Sequence, residues 1–296
     1  MKRLLLSLLR PLALLLLIEG ATVLMVRWAP GYFADPNALD SRLAAQAQAQ
    51  MAAAEAHAES PFRAAMHEDM ALLEGRLGES RYYQIPVRDL IATRWPVTLR
   101  LLAGGLGYGW LAAALAAAIG LLGPFGVTRM TERALGVFVI VLVAIPSGAL
   151  ASVALASGYG TAALVIAAFT APRIYRFLRV LLDAHLSAGH VLYARATGQG
   201  TASILRIHLL PNAVQELAAV FGTSLVLALG ALIPVEVVFD IPGIAQLALT
   251  SALNRDLPVI AATTLVFAIA VALAAIIGDV FEPGDRLREA QYEVAG

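Results

Sequence analysis

From Ala134 to Pro172 the chain runs for 39 residues without one charged side chain. A helix that crosses a bilayer needs about 20 mostly apolar residues, so this stretch is too long for one crossing and right for two. Gly158-Tyr159-Gly160 supplies the turn between them. Leu101–Gly123, Leu217–Val235 and Leu257–Gly278 are equally free of charge, and Leu4–Val26 is interrupted only by Arg10 and Glu19. The pattern predicts an all-α polytopic membrane protein with six helices, near 4–26, 97–123, 134–157, 160–180, 213–238 and 257–280. Composition agrees: 59% of the 296 residues are hydrophobic and 14% charged, against roughly 25% charged in a soluble domain.

The basic start Met1-Lys2-Arg3 precedes an apolar run longer than the roughly 7 to 15 residues of a cleaved signal, which predicts an uncut anchor over 1–26. Arg and Lys bias in short loops sets orientation. Segments 124–133, 173–212 and 281–296 hold Arg129, Arg133, Arg173, Arg176, Arg179, Arg195, Arg206, Arg286 and Arg288, whereas 158–160 and 239–256 hold only Arg255. Both termini are therefore expected in the cytoplasm. Residues 27–95 become an extracytoplasmic segment of short helices, broken at Ser60-Pro61, and 96–296 a five-helix core with a cytoplasmic loop at 181–212.

Several chemistries are excluded. Lys2 is the sole lysine, so no phosphate-binding G-x-x-x-x-G-K-[ST] loop exists. With no cysteine there is neither a thiolate metal site nor a thiol nucleophile. The five histidines form no H-E-x-x-H pair, and 21 basic residues against 21 acidic ones create no net field for nucleic acid. Gly104-Gly105-Leu106-Gly107-Tyr108-Gly109 opens an apolar helix rather than following a strand. Gly105 and Gly109 fit small-xxx-small helix packing instead. Met51, His57, Met66, His67 and Met70 of the outer segment suggest a soft-metal site only if something converges them; packing and solvation are the simpler reading. No catalytic residue, metal or cofactor is expected in this chain.

A charge inside lipid costs at least a few kcal/mol, which singles out Glu19, Glu216, Glu236 and Asp279. The last three lie near helix ends, within reach of headgroups. Arg173, Arg176 and Arg179 share a helix face, and snorkelling to headgroups is the plain reading. Glu236 and Asp240 share a face if helical and are expected, with Pro242 and Gly243, at an outer gate or substrate path; solvated loop carboxylates are the alternative.

The longest inner loop carries Tyr193-Ala194-Arg195-Ala196-Thr197-Gly198-Gln199-Gly200, then Ile204-Leu205 and Leu210-Pro211-Asn212. It reads as a helix ended by a glycine able to take positive φ, a second short helix, and a proline restarting a span. Such a knob is suited to being pushed. Here the chain resembles the permease subunits of ABC importers of the dipeptide, oligopeptide and nickel family. Ala194, Gly198, Leu210 and Pro211 match the loop pattern E-A-A-x-x-x-G followed after nine residues by I-x-L-P. Ala194-Arg195-Ala196-Thr197-Gly198 and His208-Leu209-Leu210-Pro211-Asn212-Ala213 are similar to the subfamily's A-R-A-x-G and H-x-L-x-N-A. Val235–Phe239, Pro242-Gly243-Ile244 and Arg255–Val259 resemble its E-x-V-F, P-G-[LI] and R-D-Y-P-V stretches in order. Arg27–Gly31, Arg94–Leu99 and Ile145-Pro146-Ser147 resemble motifs around the first three spans.

The resemblance implies a type I importer permease of six helices in a bacterial inner membrane. It would form half of a path for peptides or a related solute such as a nickel chelate, glycoside or opine. Implied partners are a second, unlike permease, two ATPase subunits that bind ATP and Mg, and an external substrate-binding protein. Ala194, Arg195, Ala196, Gly198, Leu210 and Pro211 would couple to the ATPase, with 193–205 as the coupling helix. Leu192 departs from the pattern, standing where many such permeases carry an acid, so an ion pair to the ATPase from that position is in question. An ATP-independent carrier or channel is the alternative, prompted by Glu19 and Asp279, and it predicts inverted repeats and broken midplane helices.

Overall fold

A computed structural model describes residues 17, 20–22, 24–25, 77–122, 125–158, 160–204, 206–207 and 210–280. Nine helices stand among the described residues from 77 onward: α1 Val87–Leu122, α2 Phe125–Ala144, α3 Ser147–Ser157, α4 Ala162–Leu186, α5 Gly189–Ala196, α6 Thr201–Ile204, α7 Leu210–Val238, α8 Ile244–Leu253 and α9 Leu257–Val280. By length and composition α1, α7 and α9 are each able to span a bilayer, and the bent pair α2–α3 makes a fourth candidate. Most of the expected span at 4–26 and of the outer segment, that segment's Met and His residues, Glu19, and the side chain of Asp279 lie outside the described residues.

Among the described residues the helices fall near their expected places with two instructive differences, while α4, which covers the expected fourth span at 160–180, is not among the helices apolar enough to count as a candidate span. α9 covers 257–280 as anticipated, and α7 starts three residues before 213. The second span begins at Val87 rather than 97 and runs through Pro96. The third is not one helix: α2 and α3 meet at 98° across Ile145-Pro146. Proline lacks the N–H that would continue the ladder and pushes the residue before it out of the α region. Pro146 is extended, with φ −63° and ψ 145°, and caps α3. α3 ends at Gly158 in the left-handed region, φ +69°, which makes the tight return to α4 that the glycines foretold.

The chain divides into two compact units. The described part of one comprises 96–246 and 270–280. Its core joins Ala113 and Ala117 of α1 and Val139 of α2 to Ile174, Tyr175 and Leu178 of α4 and Val220 of α7. A Cβ placed on Gly105 would stand 2.6 Å from Ile166, and one on Gly109 2.6 Å from Thr170 Oγ1. These two glycines bring α1 against α4, as small-xxx-small packing requires. Trp110 Nε1 donates to Ser224 Oγ at 3.1 Å, so the indole fills apolar space with its polar edge satisfied.

In its described residues the other unit comprises 77–95 and 247–269, with helical residues near 17–25. Val87, Leu90, Leu247, Val259 and Ala262 form its buried cluster. α8 stops in a Schellman turn: Asp256 N–H donates to Ser251 O at 2.9 Å and Arg255 N–H to Ala252 O at 3.3 Å, with Arg255 at φ +54°.

Candidate functional site: a helical knob and buried charges

α5 and α6 build the knob. Val191, Ala194 and Ile204 close a small core against Leu186, the last residue of α4. Ala194 is small because it is buried there. Gly198 ends α5 at φ +82°, with Gln199 N–H donating to Ala194 O at 3.1 Å. Among the described residues, its chain neighbours aside, no atom lies within 4 Å of where its Cβ would be, and the positive φ itself calls for glycine. Ala196 and Gly198 are exposed; of Arg195 only the backbone is described. Leu210 and Pro211 open α7, where proline's missing N–H costs nothing. Tyr193 is 73% exposed and Ile207 60%. Neither of these exposed apolar side chains was among the named coupling residues, although Tyr193 lies in the expected 193–205 helix and their size was a usable signal.

Glu236, completely buried in α7, is held on both oxygens. Oε1 accepts from Thr98 Oγ1 at 2.7 Å, and Oε2 accepts from the N–H groups of Ala245 and Gln246 at 2.8 and 2.9 Å. Thr98 Oγ1 in turn accepts from Ile244 N–H at 2.8 Å. The carboxylate thus caps the first turn of α8, where free N–H groups and the helix dipole favour negative charge. Gly243 is required beside it, because a Cβ would overlap the carboxylate. Asp240 does not share a helix face with Glu236. α7 ends at Val238 in a second Schellman turn, Ile241 N–H to Glu236 O at 2.8 Å, with Asp240 at φ +48°. Asp240 is exposed and accepts from Gln246 Nε2 at 2.8 Å; Pro242 is exposed next to it.

Asp256 repeats this arrangement in the other unit. Fully buried, it accepts from the Ser80 hydroxyl and from the N–H groups of Arg81 and Tyr82 at 3.1 and 3.2 Å. Ser80 Oγ accepts from Tyr83 N–H at 2.8 Å. Nothing local in the sequence announces either set of partners.

The arginines of α4 behave differently from one another. Arg179 pairs with Asp183 at 3.5 Å. Arg173 lies over the Phe169 ring, 4.0 Å from its centroid, and donates to Phe169 O and to Val143 O, the latter at 3.1 Å. Near the ends of α4 and α7, His185 Nε2 stands 3.5 Å from Glu216 Oε1. Among the described residues no group of three His, Cys, Asp or Glu side chains is arranged to hold a metal.

Apolar helices of spanning length, small-residue packing and a polar knob define a polytopic helical membrane protein. The chain belongs to the family described as binding-protein-dependent transport system inner membrane components, which it matches over residues 109–283. It is 30% identical over 224 residues to the dipeptide transport system permease protein DppB of Lactococcus lactis, covering 71% of this chain and 74% of that one. It is 31% identical over 182 residues to the metal-staphylopine import system permease protein CntB of Staphylococcus aureus, covering 54% of this chain and 58% of that protein, little more than half its length. The glutathione transport system permease protein GsiC of Shigella flexneri is 29% identical over 225 residues, 70% of this chain and 72% of the relative.

Proposed function

We propose that this chain is the permease subunit of an ATP-driven importer, a six-helix type I permease with both termini cytoplasmic. It forms half of a path for peptides or a related small solute. It pairs with a second permease, receives cargo from an external binding protein, and is driven by two separate subunits that bind ATP and Mg. Relatives named for dipeptide transport, glutathione transport and metal-staphylopine import support this cargo range. Residues 27–95 are the outer segment, 96–296 the permease core, and 181–212 the coupling loop.

The observation that carries the reading is the knob at the end of α4. Its own core holds α5 and α6 as a unit on Leu186, and it turns Tyr193 and Ile207 outward. An ATPase groove that closes on this surface would move α4 through Leu186 and α7 through Leu210 and Pro211, which is alternating access driven from a lever. Asp240, exposed beside Pro242, is the outer carboxylate able to meet cargo, while Glu236 and Gly243 shape the mouth from beneath.

Purification of the tagged chain in mild detergent tests this. A second permease and a P-loop ATPase should accompany it; recovery alone, without ATPase activity, would reject the reading. One observation favours an ATP-independent carrier, the broken helix at Ile145-Pro146. That carrier would transport at full rate when the ATPase is removed.

A further inference from the structure

The last four carbonyls of a helix have no partner within it, and at the end of α2 two of them are met in different ways. Ile145 N–H donates to Leu142 O at 3.3 Å. Val143 O cannot be met from three residues on, because Pro146 has no N–H. It accepts instead from Arg173 Nη2 of α4, 30 residues away in sequence, at 3.1 Å. The last turn of α2 holds no basic residue, so Arg173 also brings to that helix end the cation its dipole favours. The guanidinium is held on its own helix as well: Nη1 donates to Phe169 O one turn back, and Cζ lies 4.0 Å from the centroid of the Phe169 ring. The side chain is half-buried and bridges two helices at the point where one of them breaks.

We propose that Arg173 is the latch of a hinge at Ile145-Pro146. Val139 and Val143 pack into the core shared with α4, but apolar contact is non-directional and does not by itself fix an angle. A hydrogen bond is directional. Of the arrangements that packing permits, Arg173 selects the one in which α2 and α3 meet at 98°. α4 carries the knob at Leu186, so sliding of α4 past α2 breaks the bond to Val143 O and frees the angle. The inference goes beyond the permease reading, since it concerns how the chain sets its own bend, whatever drives it.

Because the chain contains no cysteine, Ala134→Cys with Leu155→Cys gives two sites for nitroxide labels, both exposed, one on each side of the corner. At about 1.5 Å per residue they stand roughly 22 Å apart across a right-angled corner and roughly 32 Å apart along a straight helix. Distances are read by double electron–electron resonance on the full chain in nanodiscs, together with the subunits that accompany it, their own cysteines removed. With Arg173 in place the distribution should be one narrow peak near the shorter value. Arg173→Gln should raise the population outside that peak at least roughly fivefold while thermal unfolding stays cooperative. Arg173→Lys, still a cationic donor, should restore most of the peak. Superimposable distributions for the Arg173 and Gln proteins would overturn the proposal by showing that packing alone fixes the corner. So would a broad distribution with Arg173 in place, or a Lys variant as broad as the Gln one. If Arg173→Gln yields no intact protein, Phe169→Leu replaces it: loss of the ring beneath the guanidinium should produce the same second population, and its absence would overturn the latch. Recovery without an ATPase would reject the permease reading and leave these distances, which belong to this chain, to decide the latch by themselves.

Discussion

Glu236 and Arg176 are both charges carried by apolar helices, and they are treated in opposite ways. Glu236 is sealed from solvent, with one hydroxyl and two backbone N–H groups on its oxygens. Arg176 is exposed on α4 and makes no hydrogen bond or ion pair with another described residue. A buried charge is tolerated only when its hydrogen bonds are complete. Glu236 meets that condition, and Arg176 is exempt from it because its side chain is exposed. Asp256, with Ser80, Arg81 and Tyr82, falls on the Glu236 side of that division.

Substitutions can break the contrast in order of expected size. Glu236→Ala strands three donors in a buried place and should lower the stability of the purified protein by about 3–5 kcal/mol, read as thermal unfolding in detergent. Asp256→Ala should cost less, about 1–3 kcal/mol, because Arg81 and Tyr82 are exposed and water can replace the carboxylate. Its mark is faster proteolysis between residues 77 and 86. Gly198→Leu forces a β-carbon into the left-handed region, a cost of roughly 1–2 kcal/mol. Uptake should be lost while ATP hydrolysis and assembly persist, and unchanged uptake would sink the lever assignment. Tyr193→Ala should move stability by less than about 0.5 kcal/mol yet weaken retention of the ATPase during purification.

Much of the architecture was legible because long apolar windows report directly on the bilayer. α9 ran over its anticipated residues, and Gly105 and Gly109 packed as their spacing suggested. The bend at Ile145-Pro146 was hidden by the same logic. Hydrophobicity stays uniform across it, and only the missing N–H of Pro146 marks the place. The partners of Glu236 were illegible for a different reason: Thr98 lies 138 residues away, and no local periodicity encodes a bond of that reach. Asp240 looked like a helical neighbour of Glu236 until the left-handed turn at its own position ended the helix. On the knob, the sequence pattern singled out Ala194 and Gly198, which shape it; it took in Tyr193 only as the start of the 193–205 helix and left out Ile207, and both of these face outward.

The cap on α8 also settles where this part of the chain has freedom to deform. Thr98, Glu236 and the backbone at 244–246 are tied at four hydrogen bonds, and Gly243 leaves no slack beside them. The end of α7 and the start of α8 therefore behave as a welded joint with almost no independent degree of freedom. Across Ile145-Pro146 the described residues show one side-chain tether, the Arg173 bond to Val143 O. Of these two corners in the same unit, the proline corner is held by packing rather than by a closed set of hydrogen bonds, so it is the one able to change its angle without breaking a buried polar network.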